Sequence, residues 1–167
     1  MSGAVIPYIE RTKAYYGAQG YPAYSWAHFE TTPFQAVQKP LAESRLVLLS
    51  TAAPYRPDLP DQGPGAPYNA AAKFYEVYTQ PISPVPDLRI SHIGYDRKHC
   101  EARDPRTWLP IEVLQREAVA GTVGEVAEEL IGIPTNRSQR VTQEQDAPEA
   151  LDHVQRLRAD VALLVPT

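Results

Sequence analysis

The most informative pattern in the chain is a set of short aliphatic runs. The run at residues 44–55, SRLVLLSTAAPY, contains four consecutive aliphatic positions, which is typical of a strand buried on both faces of a parallel sheet. Residues 87–95, DLRISHIGY, and residues 160–167, DVALLVPT, predict a second strand and a third, buried strand. Residues 73–78, KFYEVY, alternate weakly and predict a short edge strand.

The N-terminal stretch predicts a short helix followed by an aromatic arm. Pro7 precedes YIERTKAYYGAQG, so the helix starts at a proline and ends at Gly17 or Gly20. Residues 21–34, YPAYSWAHFETTPF, are rich in aromatic side chains. They fit either a lid or arm that packs on the body of the protein or an aromatic wall that faces a substrate.

Two helices are predicted in the C-terminal half. The segment LPIEVLQREAVAG has one apolar stripe, starts at Pro110 and places Gly121 as a C-terminal cap residue. Asp146, followed by a proline and a glutamate, predicts the N-cap of a helix over residues 149–159. Residues 122–134 fit a strand or a further helical turn equally well.

The order of these elements predicts an α/β fold. Strands separated by helices indicate a mostly parallel sheet with right-handed crossovers, flanked by helices in Rossmann-like layers. A length of 167 residues is that of one ordinary domain. We therefore predict a single α/β domain, with an N-terminal helix and arm at residues 1–43 and a sheet body at residues 44–167.

Composition narrows the functional classes. The net charge of −4 has no basic block, which argues against nucleic acid or an anionic membrane surface as a partner. No apolar run approaches the roughly 20 residues of a membrane span, and no signal peptide is visible. A single cysteine cannot form an internal disulfide and suits a reducing compartment. A soluble, cytoplasmic protein is expected.

Candidate binding residues follow three of the predicted strands. Ligands of parallel α/β sheets bind outside the carboxyl ends of the strands. Polar or small residues stand at those positions: Ser50 and Thr51, the stretch from Ser91 to Asp96, and Thr167. We expect them to border a small-molecule substrate.

The stretch after residue 90 is dense in reactive side chains and leaves several interpretations open. His92, Asp96 and His99 could serve a metal-dependent lyase or hydrolase, although the second, remote ligand pair of known structural zinc sites is missing. Cys100 could act as a nucleophile with a neighbouring histidine as its base. Its alternative is an unreactive thiol at the edge of a loop.

The same stretch could instead bind a substrate. His92 and Tyr95 can donate and accept hydrogen bonds, Asp96 can pair with a substrate ammonium, and Gly94 permits close approach. His92 also suits general acid–base catalysis because imidazole titrates near neutral pH. Equally, Asp96 could cap its own loop while His92 is a buried structural histidine.

Residues 87–127 resemble the selenoprotein B family of glycine, sarcosine, betaine and D-proline reductases. The family pattern is R-x-S-H-x-G-Y-D, a later acid, P-x-x-x-L and G-x-x-G. The segments IPYIERTKAYYGAQGYPAYSWAHFETTPF, RLVLLSTAAPY and ADVALLVPT are also similar to parts of this family, so the resemblance covers nearly the whole chain. The matching positions are Arg89, Ser91, His92, Gly94, Tyr95, Asp96, Asp104, Pro110, Leu114, Gly121 and Gly124.

The resemblance implies an oxidoreductase, or a subunit of one, acting on a small amine or amino-acid derivative. It implies catalytic roles for His92, Tyr95 and Asp96, and no metal or organic cofactor. The implied substrate-binding residues are Ser50, Thr51, Ser91, Gly94, Asp104 and Thr167.

One feature of the family has no match in this sequence. In the reductases the strand similar to ADVALLVPT is followed by a selenocysteine or cysteine that performs reductive C–N cleavage, whereas Cys100 lies in another loop. The resemblance therefore implies a thiol-bearing partner subunit or, alternatively, a non-catalytic small-molecule-binding or regulatory subunit. The strand at residues 160–167 also predicts a homo-oligomer, because an uncovered sheet edge needs shielding or a partner.

Overall fold

The structure of the chain is a computed structural model that divides into two compact units, Met1–Gln35 and Ala36–Thr167. Each unit is described by itself. The described residues are 7–23, 25–54, 76–90, 103–135 and 138–167.

The first unit contains helix α1 (Tyr8–Ala18), as the sequence predicted. The helix ends at Gly20, whose φ of 79° is the left-handed conformation that glycine adopts without strain. The Gly20 N–H donates to Gly17 O at 3.0 Å, and the Tyr21 N–H donates to Tyr16 O at 3.1 Å, which satisfies the last carbonyls of the helix. None of the described residues of this unit is buried.

The second unit has a mixed α/β architecture. Its described helices are α2 (Ile111–Val119), α3 (Gln139–Val141) and α4 (Ala147–Arg156). Its described strands are β1 (Arg45–Ser50), β2 (Ala53–Pro54), β3 (Tyr78–Pro81), β4 (Leu88–Arg89), β5 (Glu125–Val126), β6 (Glu129–Gly132) and β7 (Val161–Val165).

The main sheet is mostly parallel and has β1 in its middle. Leu46 lies opposite both Val126 of β5 and Val161 of β7, so these two strands flank β1. Strand β6 pairs in parallel with the second half of β1, on the same side as β5. Strand β3 closes that side as an antiparallel edge. The predicted parallel character of the sheet is confirmed.

The hydrophobic core covers both faces of β1. Leu46 and Leu48 pack with Trp108 and with residues of α2, whereas Val47 and Leu49 pack with residues of α4. Helices α2 and α4 thus contact opposite faces of the strand, because side chains alternate along a strand. Burying a Leu or Val side chain contributes about 1.5 to 3 kcal/mol, which explains the uninterrupted aliphatic run.

The strand predicted at residues 87–95 differs most from expectation. Only Leu88 and Arg89 form a described strand, and they pair antiparallel with Ala53 and Pro54 in a separate two-stranded sheet. The prediction that this strand joins the main sheet is therefore wrong for its described residues. Ala53 and Pro54, which follow directly after Ala52, pair with residues 88–89 outside the main sheet. Residues 91–95 lie outside the described part of the chain.

Three other strand predictions are refined. The edge strand runs over Tyr78–Pro81 rather than residues 73–78, of which residues 73–75 lie outside the described part. Residues 122–134 contain strands β5 and β6, which resolves the ambiguity. Strand β7 exists where predicted but is not buried, because it stands at the side of β1 opposite β5 and leaves Leu164 66 % exposed.

Helix α2 ends as predicted. Gly121 has a φ of 78°, its N–H donates to Ala118 O at 3.1 Å, and the next N–H donates to Glu117 O at 3.0 Å. These two bonds close the helix in the manner typical of a glycine cap.

The helix start predicted at Asp146 is wrong. Asp146 has helical dihedral angles, is 2 % exposed and makes no capping bond, because the chain is already helical there. The N-cap is Ser138, whose Oγ accepts the Val141 N–H at 3.2 Å. A π-helical turn, Thr142–Asp146, connects α3 to α4 and precedes Pro148. Such a wider turn accommodates a proline ring, which clashes with the carbonyl four residues earlier in a regular α-helix.

No helix in the part of the chain that the structure describes combines the length and apolar character needed to cross a bilayer.

Candidate functional site

The carboxyl end of β1 brings three predicted binding residues together. Thr51 Oγ1 lies 3.1 Å from Thr167 Oγ1 and accepts the Thr167 N–H at 2.7 Å. Ser50 precedes Thr51 and is almost fully buried. Its Oγ accepts the Ala52 N–H at 3.1 Å and donates to Trp108 O at 3.4 Å. The hydroxyl of Ser50 is thus satisfied within the protein, whereas Thr51 and Thr167 are half-buried.

A small cavity of about 100 Å³ lies beside these hydroxyls. Its walls are mainly aliphatic, from Leu49, Ile133 and Leu164, and none of the described residues that line it carries a charge. Ligand pockets of drug-sized molecules are typically ~300 Å³ or larger, so this cavity accommodates only a few atoms of a substrate.

Tyr78 fixes the segment that follows Ser50 and Thr51. Its hydroxyl donates to Ala52 O at 2.7 Å, and burial raises the pKa of Tyr78 above the ordinary value of a phenol. The Tyr78 ring lies over Gly132 so closely that a Cβ at Gly132 would be 1.9 Å from two ring carbons. The glycine is therefore required for the position of the ring, and the ring holds the end of β1.

Asp104 lies at a second and larger cavity, of about 330 Å³. Its carboxylate accepts the Arg106 N–H at 3.0 Å and pairs with the Arg106 guanidinium, Nη2 to Oδ2, at 2.7 Å. These hydrogen bonds lower the pKa of Asp104. The lining includes a second aspartate–arginine pair, Asp87 and Arg89, whose Nη2 and Oδ2 atoms are 2.7 Å apart.

The floor of this cavity is apolar and rigid. Leu88, Trp108 and Leu109 line it and are at most 3 % exposed. The Trp108 indole N–H donates to Leu88 O at 3.3 Å, which ties the tryptophan to β4. Because Trp108 O also accepts the Ser50 hydroxyl, the tryptophan connects the carboxyl end of β1 to the larger cavity.

The remaining predicted residues lie outside the described part of the chain. They follow Ile90 and precede Arg103, which flank the undescribed stretch. Among the described residues, no group of three His, Cys, Asp or Glu side chains could hold a metal ion. The predicted site residues outside the described part are Ser91, His92, Gly94, Tyr95 and Asp96, together with His99 and Cys100 from the alternative interpretations.

Several side chains at these cavities were not anticipated from the sequence. Tyr78 and Trp108 act through contacts between distant segments, which no local pattern reveals. The position of Arg106 could have been predicted, because an aspartate before a proline is typical of a helix start. Asp104 indeed caps the 3-10 turn Pro105–Thr107, which contains Arg106. Glu112, on the first turn of α2, lines the same cavity.

Comparison with protein-family models, with curated proteins and with solved structures found no match. The two cavities and the motif within residues 87–127 therefore carry the functional argument. The smaller cavity has mainly aliphatic walls beside the hydroxyls of Ser50 and Thr51, and acidic and basic side chains line the larger one.

Proposed function

We propose that the chain is a reductase-B-type oxidoreductase, or a subunit of one, acting on a small amine or amino-acid derivative. The observation that carries the proposal is the convergence of two motif residues on one cavity. Arg89 opens the R-x-S-H-x-G-Y-D motif and Asp104 is its later acid, and both line the cavity of about 330 Å³. This convergence supports a shared role for residues that are fifteen positions apart in the chain.

The charges of this cavity suit an amine. Among the described residues, three carboxylates and two guanidinium groups line it, so these residues carry one negative charge in excess. Asp87 and Asp104 form ion pairs with arginines, whereas Glu112 contributes through its charge to the raised pKa of Arg106. An ammonium group would neutralise the excess charge, and the carbon skeleton would lie on the buried Trp108 and leucine floor.

The motif supplies the proposed catalytic groups. In this proposal His92 transfers a proton, Asp96 holds the substrate ammonium and Tyr95 donates a hydrogen bond. Ser91 and Gly94 border the substrate. Thr51 and Thr167 bind its far end at the carboxyl edge of the sheet, whereas the predicted Ser50 is buried and its hydroxyl already bonds to the Ala52 N–H and Trp108 O.

Reductive C–N cleavage needs two electrons. Two thiols of a partner subunit would provide them: the carbon–nitrogen bond breaks, the carbon gains hydrogen, the amine leaves protonated and the thiols join as a disulfide. We therefore propose a thiol-bearing partner in a cytoplasmic assembly that also contains several copies of this chain.

Finer features of the fold belong to the same proposal. The contacts of α2 and α4 with opposite faces of β1 support Rossmann-like layers. The exposed aromatic side chains between Tyr8 and Phe34 support an N-terminal aromatic arm that serves as a lid or faces a substrate.

Ligand binding and turnover test this function separately. Glycine, sarcosine, betaine and D-proline are added to the purified chain, and thermal stabilisation is measured for the natural chain and for His92→Ala, Asp96→Ala and Glu112→Gln. Glu117→Gln, on the same helix but not lining the cavity, is the matched control. Stabilisation that the three variants lose and the control keeps supports the proposal, and its absence with every compound contradicts it.

Turnover is then measured as amine release in the presence of a dithiol, with and without a cysteine-bearing partner chain. Release that requires the partner supports the reductase assignment. Binding without release, under all these conditions, supports the second candidate function, a non-catalytic binding or regulatory subunit. The larger cavity, with its buried apolar residues and charged lining, favours this second candidate because it can bind a ligand without a nucleophile.

A further inference from the structure

Strand β7 presents an unshielded edge. Its residues Val161–Val165 pair with β1 along one side, and among the described residues no strand pairs with the other side. The sequence VALLV contains no charge and no proline, which are the features that usually protect an edge strand. Leu164 is 66 % exposed and Ala162 is also exposed.

The direction of the backbone groups along this edge follows from one hydrogen bond. The Thr51 N–H of the β1 segment donates to Val165 O at 3.5 Å, so Val165 directs its backbone groups towards β1. Alternate residues of a strand point the same way, and Val161 and Leu163 therefore also face β1. The N–H and C=O groups of Ala162 and Leu164 point outward, away from the sheet.

We infer that a second copy of this chain covers the edge by antiparallel pairing of β7 with β7 about a two-fold axis at Leu163. In this register Ala162 of one copy lies opposite Leu164 of the other, on both sides of the axis. Directly opposed residues of this kind exchange both of their backbone hydrogen bonds, so all four outward-pointing groups of each strand are satisfied. The inference concerns a surface and does not depend on the proposed function.

Other registers satisfy fewer groups. Centring the pair on Ala162 leaves Leu164 opposite Asp160, whose backbone N–H already donates to Arg45 O at 2.8 Å. Centring it on Leu164 places Ala162 opposite Pro166, which has no N–H to donate. Of these three registers, only the Leu163-centred one places a large exposed side chain, Leu164, opposite a small one, Ala162. Because the strand is complementary to itself in this register, a second copy is favoured over an unrelated strand.

A five-residue strand pair buries a small interface, so the dimer should depend on concentration. Light scattering or sedimentation over a roughly hundred-fold range, up to about 200 µM, should show dimer formation in the natural chain. Leu164→Lys should shift the dimer midpoint at least tenfold, because it places a charge between the paired strands. Val119→Lys is the matched control, since Val119 is 91 % exposed at the end of α2 and away from β7.

Cross-linking tests the register itself. In a Cys100→Ser background, Ala162→Cys protein mixed with Leu164→Cys protein should form an intermolecular disulfide, because opposed residues of a hydrogen-bonded pair have Cα atoms ~5.5 Å apart. Neither variant alone should cross-link, since like residues are then diagonal and ~7–8 Å or more apart. A monomer at every concentration, a dimer insensitive to Leu164→Lys, or cross-linking by a single variant alone would each overturn the inference.

Discussion

The two ends of strand β1 are built from opposite chemistry. At the amino end, the Arg45 guanidinium pairs with Glu125 and Glu128. Asp160 accepts the Arg45 N–H at 2.8 Å and pairs with Lys39 Nζ at 2.7 Å. At the carboxyl end there are hydroxyls, from Ser50, Thr51 and Thr167, which bond to backbone groups and to one another.

The two ends of β1 also differ in the size of their cavities. The cleft at the amino end has a volume of about 810 Å³, more than either cavity discussed above. Its lining carries four positive and four negative side chains, so it offers no net charge to a ligand. Those side chains are Lys39, Arg45, Arg156, Arg158, Glu43, Glu125, Glu128 and Asp160.

Position in the fold supports the same distinction. Ligands of parallel sheets bind at the carboxyl ends of the strands, and exposed ion pairs such as Lys39–Asp160 contribute little energy individually, about 0 to 1 kcal/mol. We conclude that the amino end holds neighbouring segments in place through matched charges. At the carboxyl end the hydroxyls hold neighbouring segments through hydrogen bonds instead.

The largest expected effect is at the carboxyl end, with Gly132→Ala. The new methyl group would overlap the Tyr78 ring, so this half-buried side chain must leave its site and the end of β1 loses its support. We expect the free energy of unfolding to fall by about 3 kcal/mol, comparable to the loss of a large core side chain. Urea unfolding followed by circular dichroism measures it.

Gly17→Ala is the control for this prediction. Nothing lies within 4 Å of a Cβ at Gly17, which is in α1. The change should be neutral or stabilising by up to about 1 kcal/mol, because alanine favours a helix over glycine. A loss of less than about 1 kcal/mol in Gly132→Ala would contradict the close packing of Tyr78 against the glycine.

The second prediction concerns the hydroxyl of Tyr78. Tyr78→Phe keeps the ring but removes the hydrogen bond to Ala52 O, which should lower the free energy of unfolding by about 1 kcal/mol near neutral pH. Thermal or urea unfolding of the variant against the natural chain measures this difference. Tyr21→Phe, at an exposed position, is the control and should change little.

The same variant has a signature at alkaline pH. Burial raises the pKa of Tyr78 in the folded state, whereas an unfolded tyrosine loses its proton near pH 10. Stability from this residue is therefore complete below about pH 10 and declines as the pH rises above it. Unfolding measured at about pH 9 and about pH 11 should show a smaller decline in Tyr78→Phe than in the natural chain, and an equal decline would count against a buried phenol.

The parts of the fold that the sequence predicted are those set by local rules. Strand β1 is predicted because an unbroken aliphatic run is required where both faces of a strand are buried. Gly121 is predicted because a left-handed residue after a helix is most often glycine. Both depend on the residue and its immediate neighbours.

The parts that differ depend on contacts between distant segments. Asp146, before a proline and a glutamate, has the sequence of an N-cap, but the preceding helix from Ser138 runs through it. Leu88 and Arg89 have the composition of a sheet strand, but their partner is Ala53–Pro54 rather than β1. Strand β7 is as apolar as β1, and only the topology shows that it stands at an edge.

The candidate site also has one part that local rules predict and one part that depends on contacts between distant segments. Ser50, Thr51 and Thr167 were expected near one another because parallel strands end at the same side of a sheet, and Thr51 and Thr167 are hydrogen-bonded. Asp104 was expected among them, but its 3-10 turn places it at the Trp108 cavity with Arg106. The cavity could not be predicted because its walls come from two segments that only the folded chain brings together.

The smallest expected effect is at the amino end, with Asp160→Asn. The Arg45 N–H and the Lys39 ammonium both favour the charged form of Asp160, so its pKa is lowered in the folded state. A lowered pKa stabilises the fold above the pKa of the unfolded residue, near 4, and this stabilisation is lost as the pH falls further. Asparagine can still accept the Arg45 N–H but carries no charge, so the variant should lose stability less steeply between about pH 5 and about pH 3.

This difference is measured as the slope of unfolding free energy against pH in urea titrations. Asp152→Asn, at an exposed position of α4, removes the same charge and should leave the slope of the natural chain unchanged. Because the hydroxyls at the carboxyl end do not titrate in acid, a flatter slope in Asp160→Asn alone would assign acid sensitivity to the amino end. Equal slopes in all three proteins would instead mean that Lys39 and Arg45 do not hold Asp160, and that the charges of this cleft are free to meet a ligand.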